Sequence, residues 1–415
     1  MYIVFVYYLV SITCYCQGEV YKDYKGYKYF EIGGNQKNVE RVIKHLSKND
    51  ESLIHWGSVN SSQIILAPHL ISVFKDAVAK ENLQTVILHN DVSEIISMEK
   101  DKSRHNTKFS WDNYYDINEI YKYLNETRTS YSKWTELIIG GESYEGRKIL
   151  GLRINTPYEQ GQRETGKPVF FIEAGIHARE WIAPAVATYF INQLLTSDKP
   201  DVARLRDQFD WRIFPTVNPD GYHYTHIADR FWRKTRSKSN NGCRGADPNR
   251  NWNYNWGQHS SSDNPCDYQT YAGSEPFSEV ETRTLASYIS GIDNLLFYVS
   301  FHSFATLLLV PYSDSTEHVD NYDELVSIGQ KALDYGTRVN KERYDGPGTA
   351  AETLYKASGG SMDWVRYKLN TRLVYTFELR GSSFHWPASR IWEQGEEVTQ
   401  LMLGLADGAQ ELGFF

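Results

Sequence analysis

The sequence predicts an α/β protein: a large domain of strands separated by helices, preceded by a smaller ferredoxin-like α+β unit. Three observations carry this. After residue 104, apolar runs of strand length recur between stretches of helical periodicity. Before it, the elements read β-α-β-β-α-β within about 80 residues, the order of a split ferredoxin-like unit. Between the two parts lies EKDKSRHNTK, residues 99–108, polar and charged without apolar periodicity. That is the composition of a linker and of a site for proteolytic nicking.

In the first part KYFEIGG is a strand, and NVERVIKHL places Val39, Val42, Ile43 and Leu46 on one helical face. LIHWGS and QIILAP are strands. HLISVFKDAVAKE is a helix with Leu70, Val73, Phe74 and Ala77 inward, and TVILHN closes the set. No catalytic cluster falls here. In the second part KILGLRI, PVFFIEAGI, WRIFPTV, LLFYVSFH and RLVYTFEL are strands, with helices at Trp181–Leu195 and Glu279–Ile289. The loop Ser237–Ser274, rich in Asn, Gly and Ser, is long enough to suggest a functional role.

The chain is long enough, at 415 residues, for a large core and two domains. Its net charge of −8 argues against nucleic acid as a partner, which calls for a basic surface. At the start, Tyr2–Ile12 is almost continuously apolar. That run is too short for a membrane span, which needs about 20 residues. It suits the apolar part of a secretory signal, residues 1–16, with Cys14 and Cys16 near the cleavage point, although no Lys or Arg precedes it. A buried N-terminal strand is the alternative. An exported chain would then keep two cysteines, Cys243 and Cys266, which read as one disulfide or as two buried thiols. Asn60-Ser61-Ser62 and Asn125-Glu126-Thr127 fit the glycosylation acceptor pattern.

In open α/β sheets, ligands gather beyond the carboxyl ends of the strands. His177 and Glu180 follow PVFFIEAGI, His302 follows LLFYVSF, and Glu378 ends RLVYTFE. If these strands are neighbours, two imidazoles and two carboxylates converge. Two histidines and one carboxylate with an open position make a catalytic zinc site, leaving one carboxylate for general-base work. Gly-x-Ser-x-Gly, Walker and Gly-x-Gly-x-x-Gly patterns are absent, which disfavours the common serine-hydrolase and nucleotide chemistries.

GIHAREW, RFWRKTRS, DPNRNW, SFHS, YKASGGSMDW and FELR occur in that order, at separations that resemble the zinc metallocarboxypeptidases of the pancreatic A/B type. The resemblance covers nearly the whole chain. It implies a signal peptide at 1–16, an inhibitory activation pro-segment at 17–104, and a catalytic domain at 105–415 with a mixed, largely eight-stranded twisted sheet. It also implies one zinc ion per chain, held by His177, Glu180 and His302, with Asp247 orienting His177. Glu378 resembles the glutamate that takes a proton from the attacking water and returns it to the leaving amine, and Arg233 the arginine that holds the oxyanion. Arg230 would support it, with Lys234 and Arg236 as a solvated basic face. Asn249 and Arg250 match the pair that binds the terminal carboxylate, Tyr355 the tyrosine that closes over it, and Arg179 an outer-subsite contact.

Met362 stands where enzymes that remove Lys or Arg carry an acid, so the resemblance implies apolar or aromatic terminal residues. Asp363 matches a position that is acidic in both types. The chain departs from the pattern at Phe304, where tyrosine is usual, and in GSSFHW between Arg380 and Pro387, which is shorter than usual, with Phe384 matching the subsite phenylalanine only roughly. The expectation is a secreted, monomeric zymogen. A trypsin-like protease would activate it between Lys102 and His105, and its substrates are peptide C-termini. The alternatives are a catalytically silent peptide-binding protein on the same fold, and an enzyme with basic preference.

Overall fold

The computed structural model describes residues 21–47, 53–57, 62–99, 108–157 and 166–415. The expected signal at 1–16 with Cys14 and Cys16, the activation cleavage at Lys102–His105 and the acceptor Asn60 lie outside the described residues.

The first unit runs β1 (Lys28–Gly33), α1 (Gln36–Ser47), β2 (Ile54–Gly57), β3 (Ser62–Leu66), α2 (Ile71–Lys80) and β4 (Gln84–His89), as the periodicity predicts. Its strands pair antiparallel in the order β2-β3-β1-β4. Val39, Val42 and Leu46 of α1 pack with Phe30, Ile64 and Phe74. One more helix, α3 (Val92–Glu99), extends into the stretch read as linker. It buries Val92, Ile95, Ile96 and Glu99, the i, i+3, i+4, i+7 stripe of a packed helix. A single glutamate on that stripe made it look like the start of a solvated segment.

The second unit opens with α4 (Ile117–Ser130), whose start is fixed by a capping box between Asp116 and Glu119. Eight strands follow: β5 (Thr135–Glu142), β6 (Lys148–Ile154), β7 (Val169–Ala174), β8 (Asp210–Phe214), β9 (Leu295–Ser303), β10 (Leu307–Val310), β11 (Asp345–Thr349) and β12 (Leu373–Leu379). Their order is β11-β10-β12-β9-β7-β8-β6-β5, with β12, β9, β7 and β8 parallel and the flanking pairs mixed. Helices α5 (Ile182–Thr196), α6 (Pro200–Gln208), α7 (Pro219–Ile227), α8 (Val280–Ser290), α9 (Tyr322–Asn340), α10 (Ala350–Thr353), α11 (Ser361–Leu369) and α12 (Ile391–Glu411) complete it.

The central parallel strands are buried on both faces, which is why they read as continuous apolar runs. Phe170, Ile172 and Phe377 face one core, while Val169, Phe171 and Val374 face the other. Three strands escape sequence reading. β11 is DGPGT, whose composition signals a turn. β10 has only four residues, and β5 carries Gly140 and Gly141.

Cys243 and Cys266 form a disulfide, Cα–Cα 5.2 Å, which closes part of the long loop Ser237–Ser274. Asn125 is exposed on α4, whereas Thr127 of the same acceptor pattern is buried. Among the described residues no helix is long and apolar enough to cross a membrane.

Candidate active site

Strands β7, β9 and β12 are adjacent and parallel, so their carboxyl ends open on one edge of the sheet. Glu378 lies directly across from His302 in the β12–β9 register. Beyond β7 the chain turns at Gly175, φ +66°, where a Cβ would stand 3.0 Å from Pro184 Cγ and 3.2 Å from the carbonyl oxygen of Pro215. That turn brings His177 and Glu180 over the end of β9.

Three donor atoms face one another there. His177 Nδ1 is 2.9 Å from Glu180 Oε1 and 3.2 Å from His302 Nδ1, and His302 Nδ1 is 3.2 Å from Glu180 Oε2. In a tetrahedral site with metal–ligand distances of about 2.0–2.1 Å, ligand atoms stand roughly 3.3 Å apart. The three side chains bring their donor atoms within 4.8 Å of one another, close to this spacing, and two imidazoles with one carboxylate are the ligand chemistry of catalytic zinc. The residues fit the ion. Burial opposes charge on Glu180, yet His177 and His302 hold its carboxyl well below the usual range. The Ser303 N–H donates to its Oε2 at 3.1 Å.

Asp247, fully buried, ties two parts of the site together. Its Oδ1 is 3.1 Å from His177 Nε2, and its Oδ2 accepts from Arg233 Nε at 3.0 Å and Nη2 at 2.9 Å. Burial opposes its ionisation, but Arg233 and then His177 outweigh that and keep it strongly acidic. Glu378 behaves oppositely. Burial, reinforced by the charge of Glu180, pushes it up to about 7 against His302, Arg233 and Arg250.

His177, Glu180, Arg233, His302 and Glu378 line a cavity of about 310 Å³. Arg250 is braced by donating from Nε to Ser260 O at 2.9 Å and from Nη1 to Asn249 O at 2.8 Å, while its Nη2 meets Tyr355 Oη at 3.3 Å. Asn249, which also lines the cavity, accepts at Oδ1 from the Ser361 N–H at 3.0 Å. Met362 lines the wall, with the Thr376 hydroxyl 3.3 Å from its sulfur. Asp363 turns elsewhere: both carboxylate oxygens accept from the Ser313 N–H, at 3.0 and 2.9 Å. Burial raises its pKa to about 7.

The basic run departs from expectation. Arg230, Arg233, Lys234 and Arg236 are all buried, so this run forms no solvated basic face. Lys234 donates to the carbonyl of Asp267 at 2.6 Å, and the Arg236 guanidinium lies 3.5 Å from the Tyr224 ring centre. Carbonyls and aromatic faces replace water around these cations. Arg230 forms a buried bidentate pair with Glu99 of α3, at 2.6 and 2.8 Å, and also donates to Arg179 O at 2.7 Å.

The first unit covers the outer side of the cavity. Trp56 and Gln63 line it, and the Trp56 ring lies 4.7 Å from Phe384 and 6.0 Å from Phe304. Arg179, buried and donating from Nη1 to Gln269 at 2.8 Å, stacks 4.2 Å from the Phe384 ring. Burial and the nearby Arg233 lower its pKa to about 9. Sequence reasoning missed the parts of Trp56, Gln63 and Glu99; nothing local distinguishes them from core or surface residues.

Residues 120–401 match the family model described as zinc carboxypeptidase. The chain is 35% identical over 412 residues to Zinc carboxypeptidase A 1 of Drosophila melanogaster, covering 94% of each chain. It is 39% identical over 294 residues to Carboxypeptidase B of Astacus astacus, covering 69% of this chain and 94% of that one. The crystal structure of the carboxypeptidase A from Helicoverpa armigera superposes with a TM-score of 0.83 at 26% identity, covering 94% of this chain and 99% of that one.

Proposed function

Because the chain belongs to the zinc carboxypeptidase family and so is a zinc enzyme that hydrolyses C-terminal residues, we propose that it is an A-type member, made as a secreted zymogen, that prefers apolar or aromatic ends. In this reading residues 17–104 are the activation pro-segment, 105–415 the catalytic domain, and a trypsin-like protease cuts between them. Trp56 and Gln63 in the cavity lining support the inhibitory role.

The observation that carries the preference is the wall of the cavity. Among the described residues its only carboxylates are Glu180 and Glu378, and Met362 lines it at the position where the resemblance puts an acid in enzymes of basic preference. Met362 is apolar and adaptable, suited to Phe, Tyr or Leu. Asp363 supports no basic preference, because it is committed to Ser313.

Zinc held by His177, Glu180 and His302 supplies Lewis acidity that polarises a carbonyl and acidifies water. The protein residues do the rest. Arg250 and Asn249 grip the terminal carboxylate, and Tyr355, a residue 38% exposed, closes over it. Glu378, raised to about 7, takes the proton from the attacking water and returns it to the leaving amine. Arg233 donates to the oxyanion, and because Asp247 fixes its guanidinium it does so without reorganising. The joint presence of these groups speaks against a silent peptide binder.

The test is a panel of blocked dipeptides ending in Phe, Leu, Arg and Glu, offered to the catalytic domain separated from the first unit after trypsin nicking. Phe and Leu should be released fastest. Faster release of Arg would overturn the A-type reading and leave the family assignment intact.

A further inference from the structure

The two ends of the first unit meet consecutive residues of the second. Glu99, at its far end, pairs with Arg230. At its near end Tyr24, 1% exposed, donates its phenol to Asp229 Oδ1, and Tyr268 donates to the other oxygen of the same carboxylate. Around this bond the near end is pinned three more ways. The Lys22 N–H donates to Ala228 O at 2.7 Å. Lys22 Nζ stands 3.8 Å from Asp229 Oδ2 and 5.0 Å from the Tyr24 ring centre. The Tyr24 ring packs edge-on against Phe231 at 5.2 Å. The Asp229 carboxylate is itself held by the Phe231 N–H at 3.1 Å. Asp229 and Tyr268 thus form a built seat for a phenol, and the chain's own N-terminal stretch fills it.

We propose that this seat is a second lock on the active site: residues 21–24 keep the first unit docked after the connection near residues 100–107 is cut, so that cleavage alone does not open the cavity. The inference rests on the reading of residues 17–104 as an inhibitory pro-segment. Its logic is geometric. A cut beyond Glu99 removes the covalent link but touches neither Glu99–Arg230 nor Tyr24–Asp229. While Tyr24 stays seated, Trp56 and Glu99 remain tethered beside their sites at high effective concentration, and any loosening of one contact is reversed by the others. A buried hydrogen bond to a carboxylate, with an aromatic ring enclosed around it, should lengthen the residence time about tenfold or more.

The experiment compares the full chain with Tyr24→Phe, each nicked by trypsin at the connection alone, with residues 21–99 shown intact by mass spectrometry and the parts not separated, and follows release of Phe from a blocked dipeptide on dilution. The wild-type chain should stay inhibited when nicked and gain activity only at high dilution. Tyr24→Phe should gain it at a concentration at least about tenfold higher. Residues 21–24 are absent from the separated catalytic domain, so both separated enzymes must show the same kcat/KM, and any difference belongs to docking. Asp229→Asn, which retains the side-chain shape, should shift release in the same direction, and unchanged melting of the uncut variants excludes misfolding. Release at the same concentration in wild type and both variants would overturn the proposal. Full activity of the uncut chain would instead overturn the pro-segment reading, and the proposal with it.

Discussion

Asp247 offers the sharpest perturbation, because one carboxylate serves two partners. Asp247→Asn keeps the side-chain shape and an acceptor oxygen but removes the charge. At 3.1 Å it accepts from His177 Nε2, which presents the opposite ring nitrogen, Nδ1, to the zinc donors. Loss of a carboxylate in this position lowers metal affinity about 10- to 100-fold, or roughly 1.4–2.7 kcal/mol. Arg233 suffers separately. Its Nε and Nη2 both end on Asp247 Oδ2, and the pair is buried. Removing one member of a buried pair costs about 3–5 kcal/mol, and the retained asparagine oxygen should hold the loss near the lower figure. The expected result is a zinc dissociation constant raised by one to two orders of magnitude, read in a competing chelator buffer. The zinc-free protein should also melt several degrees lower. Zinc affinity within twofold of wild type together with unchanged melting would refute the shared-carboxylate reasoning.

Glu378→Gln should bind a peptide-end inhibitor nearly as well as wild type while kcat falls about 10²–10⁴-fold, measured by steady-state kinetics and calorimetry; near-normal kcat would place the base elsewhere. Glu281 gives a stability prediction outside the site. It is buried, accepts from the Tyr144 N–H at 3.0 Å, and burial raises its pKa to about 8 from 4.5. Between those values the unfolded chain releases the proton while the folded one keeps it, so stability falls as pH rises from 4.5 to 8 and levels off above. Glu281→Gln should therefore stabilise the protein by about 3 kcal/mol at pH 7 and by almost nothing at pH 4. Denaturant melts at both pH values read this directly, and an equal gain at each would contradict it.

Much of this was legible in the sequence because the decisive elements are strongly patterned. The central strands β7, β9 and β12 are apolar on both faces, so their runs and carboxyl ends stood out, and with them His177, Glu180, His302 and Glu378. Long-range contacts were illegible for a physical reason. Glu99 looks solvated because its neighbours in sequence are charged, while its true neighbour is Arg230, 131 residues away. Lys234 and Arg236 were misread for the converse reason: a charged run says nothing about the carbonyls and rings that the fold folds over it. Tyr24 is one tyrosine of 30, and only the structure singles it out by setting it against Asp229. DGPGT became a strand because β10 supplies a partner, overriding its turn composition.

One zinc ion, held by His177, Glu180 and His302, makes this chain a carboxypeptidase. The most direct measurement follows the metal and the product on one preparation of the catalytic domain, separated from the first unit after trypsin nicking. It combines zinc analysis after dialysis with mass spectrometry of a peptide ending in Phe, before chelation, after chelation and after zinc is returned. The expected result is one zinc per chain, loss of a single C-terminal residue per step, abolition of that loss by the chelator, and recovery with zinc. Undiminished C-terminal release from protein shown to be free of zinc would contradict it.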